Sequence, residues 1–192
     1  MMKSQAVLKT LVPPERGEKG ASLLELIVSV MVLTVGLLGA AAAIGHALRL
    51  NTMSRNATNA KFAGVSMLEQ METLRNTRRL LYKQIANVGA VDNTGAPLAF
   101  AGFATGWQPV SANPGPDGIY GTGDDLQDSG PDGIYGTGDD FTNQAWAQTD
   151  YGRNVTITPL SSTLKKITIT VRYPGSAGNT VELTCIGYLN DY

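Results

Sequence analysis

The longest apolar stretch of the chain lies near its N-terminus. From Leu26 to Leu48 the sequence contains no Asp, Glu, Lys or Arg. As an α-helix this stretch would be roughly 34 Å long, which is enough to cross the hydrocarbon core of a bilayer. The pattern therefore predicts a membrane-spanning helix. A cleaved secretory signal is the alternative, because small residues around Ala43 resemble a cleavage site, but the apolar part of such a signal is only about 7–15 residues long.

After this stretch the pattern changes to an apolar stripe on an otherwise polar helix. Apolar residues recur at every third position from Phe62 to Leu74, and helical spacing resumes up to Val88. The pattern predicts one continuous helix that begins near Ser22 and ends near Val88. Its second half, residues 49–88, should pack its apolar stripe on a sheet.

The C-terminal part of the chain alternates between apolar and polar residues with a period of two. Three strands are predicted, at 154–160, 165–173 and 180–188, and residues 174–179 form the hairpin loop between the last two. Residues 89–114 are rich in Gly, Ala and Pro without a period, which indicates an irregular connector. A long helix against a small antiparallel sheet is an α+β fold. One face of the second strand is predicted to be buried: Ile167, Ile169, Val171 and Tyr173.

Composition narrows the possible chemistry. The chain has one cysteine and one histidine, Cys185 and His46, so no disulfide can form within it and no Cys/His metal cluster can be built. Most His-dependent catalytic arrangements lack their parts, and no nucleophile motif of the G-x-S-x-G type occurs. We therefore expect no enzymatic activity. Cys185 alternates with Val181 and Leu183, which favours a small core residue over a reactive thiol.

Four basic residues lie close together near the predicted end of the helix. Arg75, Arg78, Arg79 and Lys83 could contact nucleic acid or an acidic loop. Only Tyr82 among their neighbours is aromatic, whereas surfaces that bind single-stranded nucleic acid combine basic and aromatic side chains. A solvated helix face is the favoured interpretation, and no nucleic acid partner is expected.

One eleven-residue sequence occurs twice in the middle of the chain. Residues 115–125 and 130–140 both read GPDGIYGTGDD, so the period is 15 residues. Carboxylates on glycine-rich turns are hard oxygen ligands of the kind that Ca²⁺ prefers, although the spacing does not match an EF-hand. A flexible surface tract of Asp-Gly turns is the alternative. The candidate calcium ligands are Asp117, Asp124, Asp125, Asp128, Asp132, Asp139 and Asp140.

Glu25 is the one carboxylate at the start of the apolar helix. A charged side chain near the apolar part of a membrane helix costs about 2.5–3.5 kcal/mol, so such a residue indicates a specific partner. The alternative is that Glu25 is an interfacial residue at a helix N-terminus, where the helix dipole favours an anion.

These N-terminal residues carry a resemblance to a known family. The segment GEKGASLLELIVSVMVLTVGLLG, residues 17–39, resembles the class III leader and N-terminal helix of type IV pilins and of type II secretion pseudopilins, and minor pilins of the PilV type in particular. The resemblance implies that residues 1–20 are a leader peptide. It implies that prepilin peptidase cuts between Gly20 and Ala21 and that the same enzyme methylates the new amine of Ala21.

The same resemblance implies a fold, a location and partners. The fold would be type IV pilin-like, with residues 21–48 as the inner-membrane helix and later the filament core. Residues 89–192 would form a periplasmic head, carried on a pilus or pseudopilus after assembly. Glu25 would pair with the N-terminal amine of an adjacent pilin or pseudopilin subunit. Because an unpaired buried charge is costly, this pair is favourable only when the subunits are in register.

We therefore expect a minor pilin or pseudopilin, a structural subunit of a type IV pilus or a type II secretion pseudopilus. A membrane-anchored, calcium-dependent adhesin is the alternative, in which the Asp-rich loop binds a ligand and the helix is only an anchor. The two functions differ in their dependence on Glu25. Calcium gains support from the resemblance, because major pseudopilins hold a calcium ion in their heads.

Overall fold

A computed structural model describes residues 22–191 and shows one long α-helix and two antiparallel sheets. Helix α1 is Leu23–Asn76, a run of 54 residues rich in Leu, Val, Ala and Met and free of proline. Two compact units divide the chain, the first ending at His46 and the second beginning at Ala47. The predicted leader, residues 1–20, and the cleavage position Gly20/Ala21 lie outside the described residues.

The second unit contains all the strands. The larger sheet has four strands in the order β1-β4-β5-β6, and β2 and β3 form a separate two-stranded ribbon. Every pairing of these strands is antiparallel. The strands are β1 Gln108–Ser111, β2 Gln127–Asp128, β3 Phe141–Thr142, β4 Ala147–Pro159, β5 Leu164–Pro174 and β6 Thr180–Asn190.

The three predicted strands correspond to β4, β5 and β6, and the predicted hairpin loop lies between the last two. Ile167, Ile169 and Val171 are buried on one face of β5, as the alternation predicts. The fourth strand, β1, comes from the segment that was predicted to be an irregular connector. The α+β class is therefore confirmed, with a sheet one strand wider than expected.

The predicted end of the helix is wrong. Helix α1 ends at Asn76 and does not reach Val88. Arg78 takes a φ of 55°, in the left-handed region that stops a helix. The chain then turns so that Leu80 and Ile85 are fully buried, whereas Val88 is exposed. The apolar residues after Asn76 are thus spaced for burial in a turn and not for one face of a helix. Tertiary packing overrides helix propensity in this segment.

The buried face of α1 also differs from the predicted stripe. Phe62 was expected to begin that stripe, yet its side chain is 75% exposed. Three residues turn a helix by about 300°, so a strict three-residue spacing winds around it, whereas alternating steps of three and four stay on one face. The face that packs on the sheet is Ala60, Gly64, Met67, Met71 and Leu74.

Close approach of the helix to the sheet explains one glycine and the lone cysteine. A Cβ placed on Gly64 would lie 2.7 Å from Cys185 Sγ on β6, so only glycine fits at this crossing. The Cys185 thiol is half-buried against the helix, and desolvation raises its pKa. Its environment is that of a packing residue, because reactive cysteines have lowered pKa values.

The connector between α1 and β1 is held by side chains that bridge distant segments. The Asn87 amide donates to Phe103 O at 3.2 Å and to Val155 O at 2.9 Å, and its oxygen accepts from Ile157 N at 2.8 Å. Lys165 Nζ donates to Tyr82 O and Ile85 O, both at 2.8 Å. These bonds satisfy carbonyl groups of the connector and of β4. Its side chains complete the core.

Candidate functional site

The first half of α1 is a continuous apolar surface. Every described residue of the first unit is exposed, and the most apolar 18-residue window of α1 has a mean hydropathy of 2.4. The hydroxyls of Ser29 and Thr34 donate to Glu25 O and Val30 O in the helix itself, at 2.7 Å each. These two hydroxyl groups are thus satisfied within the helix, as a lipid environment requires. By length and composition the helix can cross a membrane.

Glu25 lies in the first turn of this helix. Leu26 N donates to Ser22 O at 3.1 Å, so the helical ladder has already begun at that turn. The side chains beside it, Leu23 and Leu24, are about three-quarters exposed. Among residues 22–191 the Glu25 carboxylate has no hydrogen bond or ion pair. Of the three N-terminal residues predicted to act in processing and assembly, Glu25 alone is described.

The two copies of GPDGIYGTGDD fold into the same local structure. We call residues 115–125 loop 1 and residues 130–140 loop 2. In loop 1, Asp117 N donates to Asp124 Oδ2 at 3.1 Å, and Ile119 N donates to Asp117 Oδ1 at 2.7 Å. Three glycines of each loop have positive φ, between 65° and 95°.

Loop 2 repeats these bonds position by position. Asp132 N donates to Asp139 Oδ2 at 3.4 Å, and Ile134 N donates to Asp132 Oδ1 at 2.8 Å. The Thr137 hydroxyl bonds Asp139 at 2.5 Å, as the Thr122 hydroxyl bonds Asp124 at 2.5 Å in loop 1. The sequence of the repeat therefore determines its own backbone path.

The two loops differ in their surroundings. Ile119 of loop 1 is 1% exposed and belongs to the core, whereas Ile134, the equivalent residue of loop 2, is 61% exposed. Loop 1 occupies a site that we call the loop-binding pocket. The pocket is formed by Met67, Gln70, Arg79, Phe103 and Arg153.

Backbone groups of loop 1 bond directly to this pocket. Arg79 Nη2 donates to Asp117 O at 2.5 Å, and Gln70 Nε2 donates to Tyr120 O at 3.1 Å. A Cβ on Gly121 would lie 2.0 Å from Met67 Cε, so any side chain here would push the end of Met67 aside, and the φ of 95° also favours glycine.

A buried ion pair joins loop 1 to the sheet. Arg153 Nη2 on β4 lies 2.6 Å from Asp125 Oδ2, and both side chains are buried. The Asp125 carboxylate also accepts hydrogen bonds from Gly121 N and Thr122 N at 2.9–3.0 Å. All of its acceptor capacity toward the protein is therefore satisfied, which a buried carboxylate requires.

These bonds bear on the predicted calcium site. In the part of the chain that the structure describes, no three carboxylate, His or Cys side chains form a group that could hold a metal ion. The Asp124, Asp125 and Asp139 oxygens accept from nearby N–H and hydroxyl groups instead. As arranged, the residues do not fit a shared ion. Calcium stays a prediction, and the hydrogen bonds explain how seven carboxylates can be ordered without one.

Two of these carboxyl groups have shifted pKa values. Desolvation, with Asp124 and Asp125 nearby, raises the pKa of Asp117 to about 6. The hydrogen bond from the Thr137 hydroxyl lowers the pKa of Asp139, which is exposed on loop 2. Asp117 is partly withdrawn from water, and this burial favours its neutral form.

The basic cluster has structural partners. Lys83 forms an ion pair with Asp92 at 3.6 Å, and Arg79 holds loop 1 as described above. Arg75 donates to the carbonyl of Asn190 at the end of β6. The sequence pattern does not predict the Arg75, Arg79 and Arg153 contacts, because their partners are 28 or more residues away. It does not predict the Lys83–Asp92 pair either, because that pair depends on the turn that follows α1.

Comparison with known protein families, curated proteins and solved structures finds no match to this chain.

Proposed function

We propose that this protein is a structural subunit of a membrane-assembled filament, a minor pilin or pseudopilin of the type IV pilus or type II secretion class. One observation supports this most directly. The first half of α1 is exposed and apolar over its whole surface, and its first turn carries a single carboxylate, Glu25. A simple membrane anchor has no need of a charge at this position.

In the proposed mechanism Glu25 selects the register of assembly. Before assembly the subunit lies in the inner membrane with its head in the periplasm, and prepilin peptidase has removed residues 1–20. Pairing of the Glu25 carboxylate with the Ala21 amine of a neighbouring subunit removes two unfavourable isolated charges at once. The surrounding Leu, Ile and Val side chains then pack laterally between helices. The function is assembly, with no chemical step.

Intact mass of the membrane-extracted protein tests this proposal first. Cells with and without prepilin peptidase are compared, and the expected product with the enzyme begins at Ala21 and carries one added methyl group. A chain cut near Ala43, or left uncut in both strains, would contradict the assignment.

A Glu25→Ala variant then tests the assembly mechanism. We expect it to insert in the membrane and to be processed, but to be absent from sheared filaments. Glu69→Ala is the matched control, because Glu69 is an exposed carboxylate on the second half of the same helix. Equal incorporation of both variants would exclude the proposed role of Glu25.

An anchored binding protein is the second candidate, and the exposed position of loop 2 favours it. Ile134 and Tyr135 offer apolar surface at the tip of that loop. This candidate predicts that binding of whole cells to a surface survives Glu25→Ala and is lost when Ile134 and Tyr135 are replaced by serine. The same assay is repeated with calcium and with EDTA to test whether the binding depends on calcium.

A further inference from the structure

The head contains one loop-binding pocket and two identical sequences that could occupy it. Loop 1 fills the pocket, and loop 2 has the same fold but projects into solvent. We propose that the pocket accepts either loop, so that the head exists in two registers that differ by the 15-residue period of the repeat.

Every side chain that loop 1 contributes to the pocket is present in loop 2. Ile134 replaces Ile119 in the core, and Asp140 replaces Asp125 beside Arg153. Gly136 has a φ of 89°, close to the 95° of Gly121, and it lacks a Cβ that would meet Met67. The bonds within residues 130–139 already match those within residues 115–124, and Asp140 already accepts from Gly136 N as Asp125 accepts from Gly121 N. Loop 2 therefore enters the pocket with little change in its backbone path.

The end of the bound loop lies close to the start of β4, and this makes the exchange possible within one chain. Asp125 O accepts from Ser111 Oγ at 2.8 Å, and Ser111 pairs with Ala147 at the start of β4. With loop 2 in the pocket, residues 141–146 have to connect its end to Ala147. Six residues span up to about 20 Å, and paired residues of neighbouring strands lie only about 5 Å apart. The connection closes easily, and residues 112–129 become the exposed segment.

The residues that flank the loops decide which register dominates. The ribbon of β2 and β3, with two residue pairs, exists only when loop 1 is bound. Asn143 Nδ2 donates to Asp128 Oδ2 at 2.8 Å, and Gln127 Nε2 donates to Asp140 Oδ2 at 3.2 Å in this register. These few partly exposed contacts favour loop 1, whereas the core contacts are the same in both registers. Two states that share their core and differ in their surface are close in free energy.

The exchange gives the head two surfaces on one core. A neighbouring molecule that contacts the exposed loop together with its flanking residues selects one register by its differential affinity. This property depends on the head alone, and it holds whether or not the protein assembles through Glu25.

Cross-linking in the full-length protein in detergent micelles tests the exchange. In a Cys185→Ala background, Gln70→Cys is combined with either Tyr120→Cys or Tyr135→Cys, and a short bismaleimide is added. Gln70 contacts residue 120 in the loop 1 register, so the first pair is the matched control. We expect the 70–135 link as a minor product, and as the main product once Ile119→Asp removes loop 1 from the pocket. Peptide masses identify both links.

A 70–135 link that stays absent in the Ile119→Asp variant, while the head remains folded, would overturn the proposal. A 70–135 link found only between two chains, in a mixture of isotopically labelled and unlabelled protein, would also overturn it, because loop 2 would then bind a second copy.

A stability cycle gives a readout that does not depend on cross-linker geometry. The urea midpoint of the head is measured for Ile119→Asp, Ile134→Asp and the double variant. We expect Ile134→Asp alone to leave the midpoint unchanged, Ile119→Asp to lower it in part, and the double variant to lower it by clearly more than the sum. If the double variant unfolds at the same midpoint as Ile119→Asp, loop 2 does not replace loop 1 and the proposal fails.

Discussion

Loop 1 and loop 2 have the same eleven residues and share most of their internal hydrogen bonds, yet loop 1 packs into the core and loop 2 lies on the surface. The glycines with positive φ and the Asp side chains that accept from the following backbone fix the path of each loop locally. Burial comes from Arg79, Phe103 and Arg153, which only one loop can contact at a time. Local structure is thus a property of the segment, whereas burial is a property of its place in the chain.

We expect the largest loss of stability when Arg153, the ion-pair partner of the buried Asp125 carboxylate, is removed. Arg153→Met leaves Asp125 buried without its counter-charge, and breaking a buried pair in this way costs about 3–5 kcal/mol. Loop 2 cannot rescue this variant, because Asp140 would face the same loss. Urea unfolding followed by tryptophan fluorescence measures the change.

Arg172→Met is the matched control for that variant, since Arg172 is an exposed arginine on β5 that stacks over Trp107 at 4.8 Å. We expect its effect to stay below about 1 kcal/mol, as is usual for exposed cation–π contacts. Equal destabilisation by the two substitutions would mean that the Asp125 pair contributes nothing beyond the loss of an arginine.

A smaller contrast comes from adding one methyl group to each loop. Gly121→Ala and Gly136→Ala both place alanine at a positive φ, which costs about 1–2 kcal/mol. Gly121→Ala also forces Met67 to move, since the new Cβ would lie 2.0 Å from its Cε. Overpacking of this kind costs about 1–3 kcal/mol more.

Both glycine variants are made in an Ile134→Asp background, which keeps loop 2 out of the pocket. The free energy of unfolding is compared in urea. If the two substitutions had equal cost, the tight contact of Gly121 with Met67 would not be important for stability.

Stability should depend on pH through Asp117 of loop 1, and this effect should be smaller than those of the substitutions above. The pKa of Asp117 is about 6 in the folded head and has the ordinary value of 3.8 when unfolded. Between these pH values the folded state binds more protons, so its stability falls as pH rises from about 4 to about 6. Asp117→Asn should remove this fall, and Asp132→Asn in loop 2 should leave it in place. The thermal midpoint is measured in EDTA from about pH 4 to about pH 6. If the midpoint of Asp117→Asn falls with pH as steeply as that of the unsubstituted protein, Asp117 is not the source of the fall.

Much of this architecture follows from patterns within short segments. The period-two alternation predicts β4, β5 and β6, and Ile167, Ile169 and Val171 are buried as expected. The apolar run from Leu26 to Leu48 predicts the exposed half of α1. Such patterns succeed because a single periodic face decides them.

Other features depend on contacts between segments that are distant in sequence. The helix ends at Asn76 because Leu80 and Ile85 pack better from a turn, and the spacing of apolar residues alone cannot show this. The repeat was recognised in the sequence, but nothing in two identical copies can tell which one is buried. That difference depends on the position of Arg153 on β4 and on the short connection from Ser111 into loop 1.

Calcium gives the smallest expected effect and tests the candidate metal site directly. The Asp oxygens of both loops accept hydrogen bonds from the protein, so an ion would have to displace those bonds before it bound. We expect 1 mM CaCl₂ to raise the free energy of unfolding by less than about 0.5 kcal/mol, the value for a ligand present near or below its dissociation constant. A rise of several kcal/mol would establish the site. Asp132→Asn and Asp117→Asn would then show which loop holds the ion, since only substitution in the binding loop would abolish the rise.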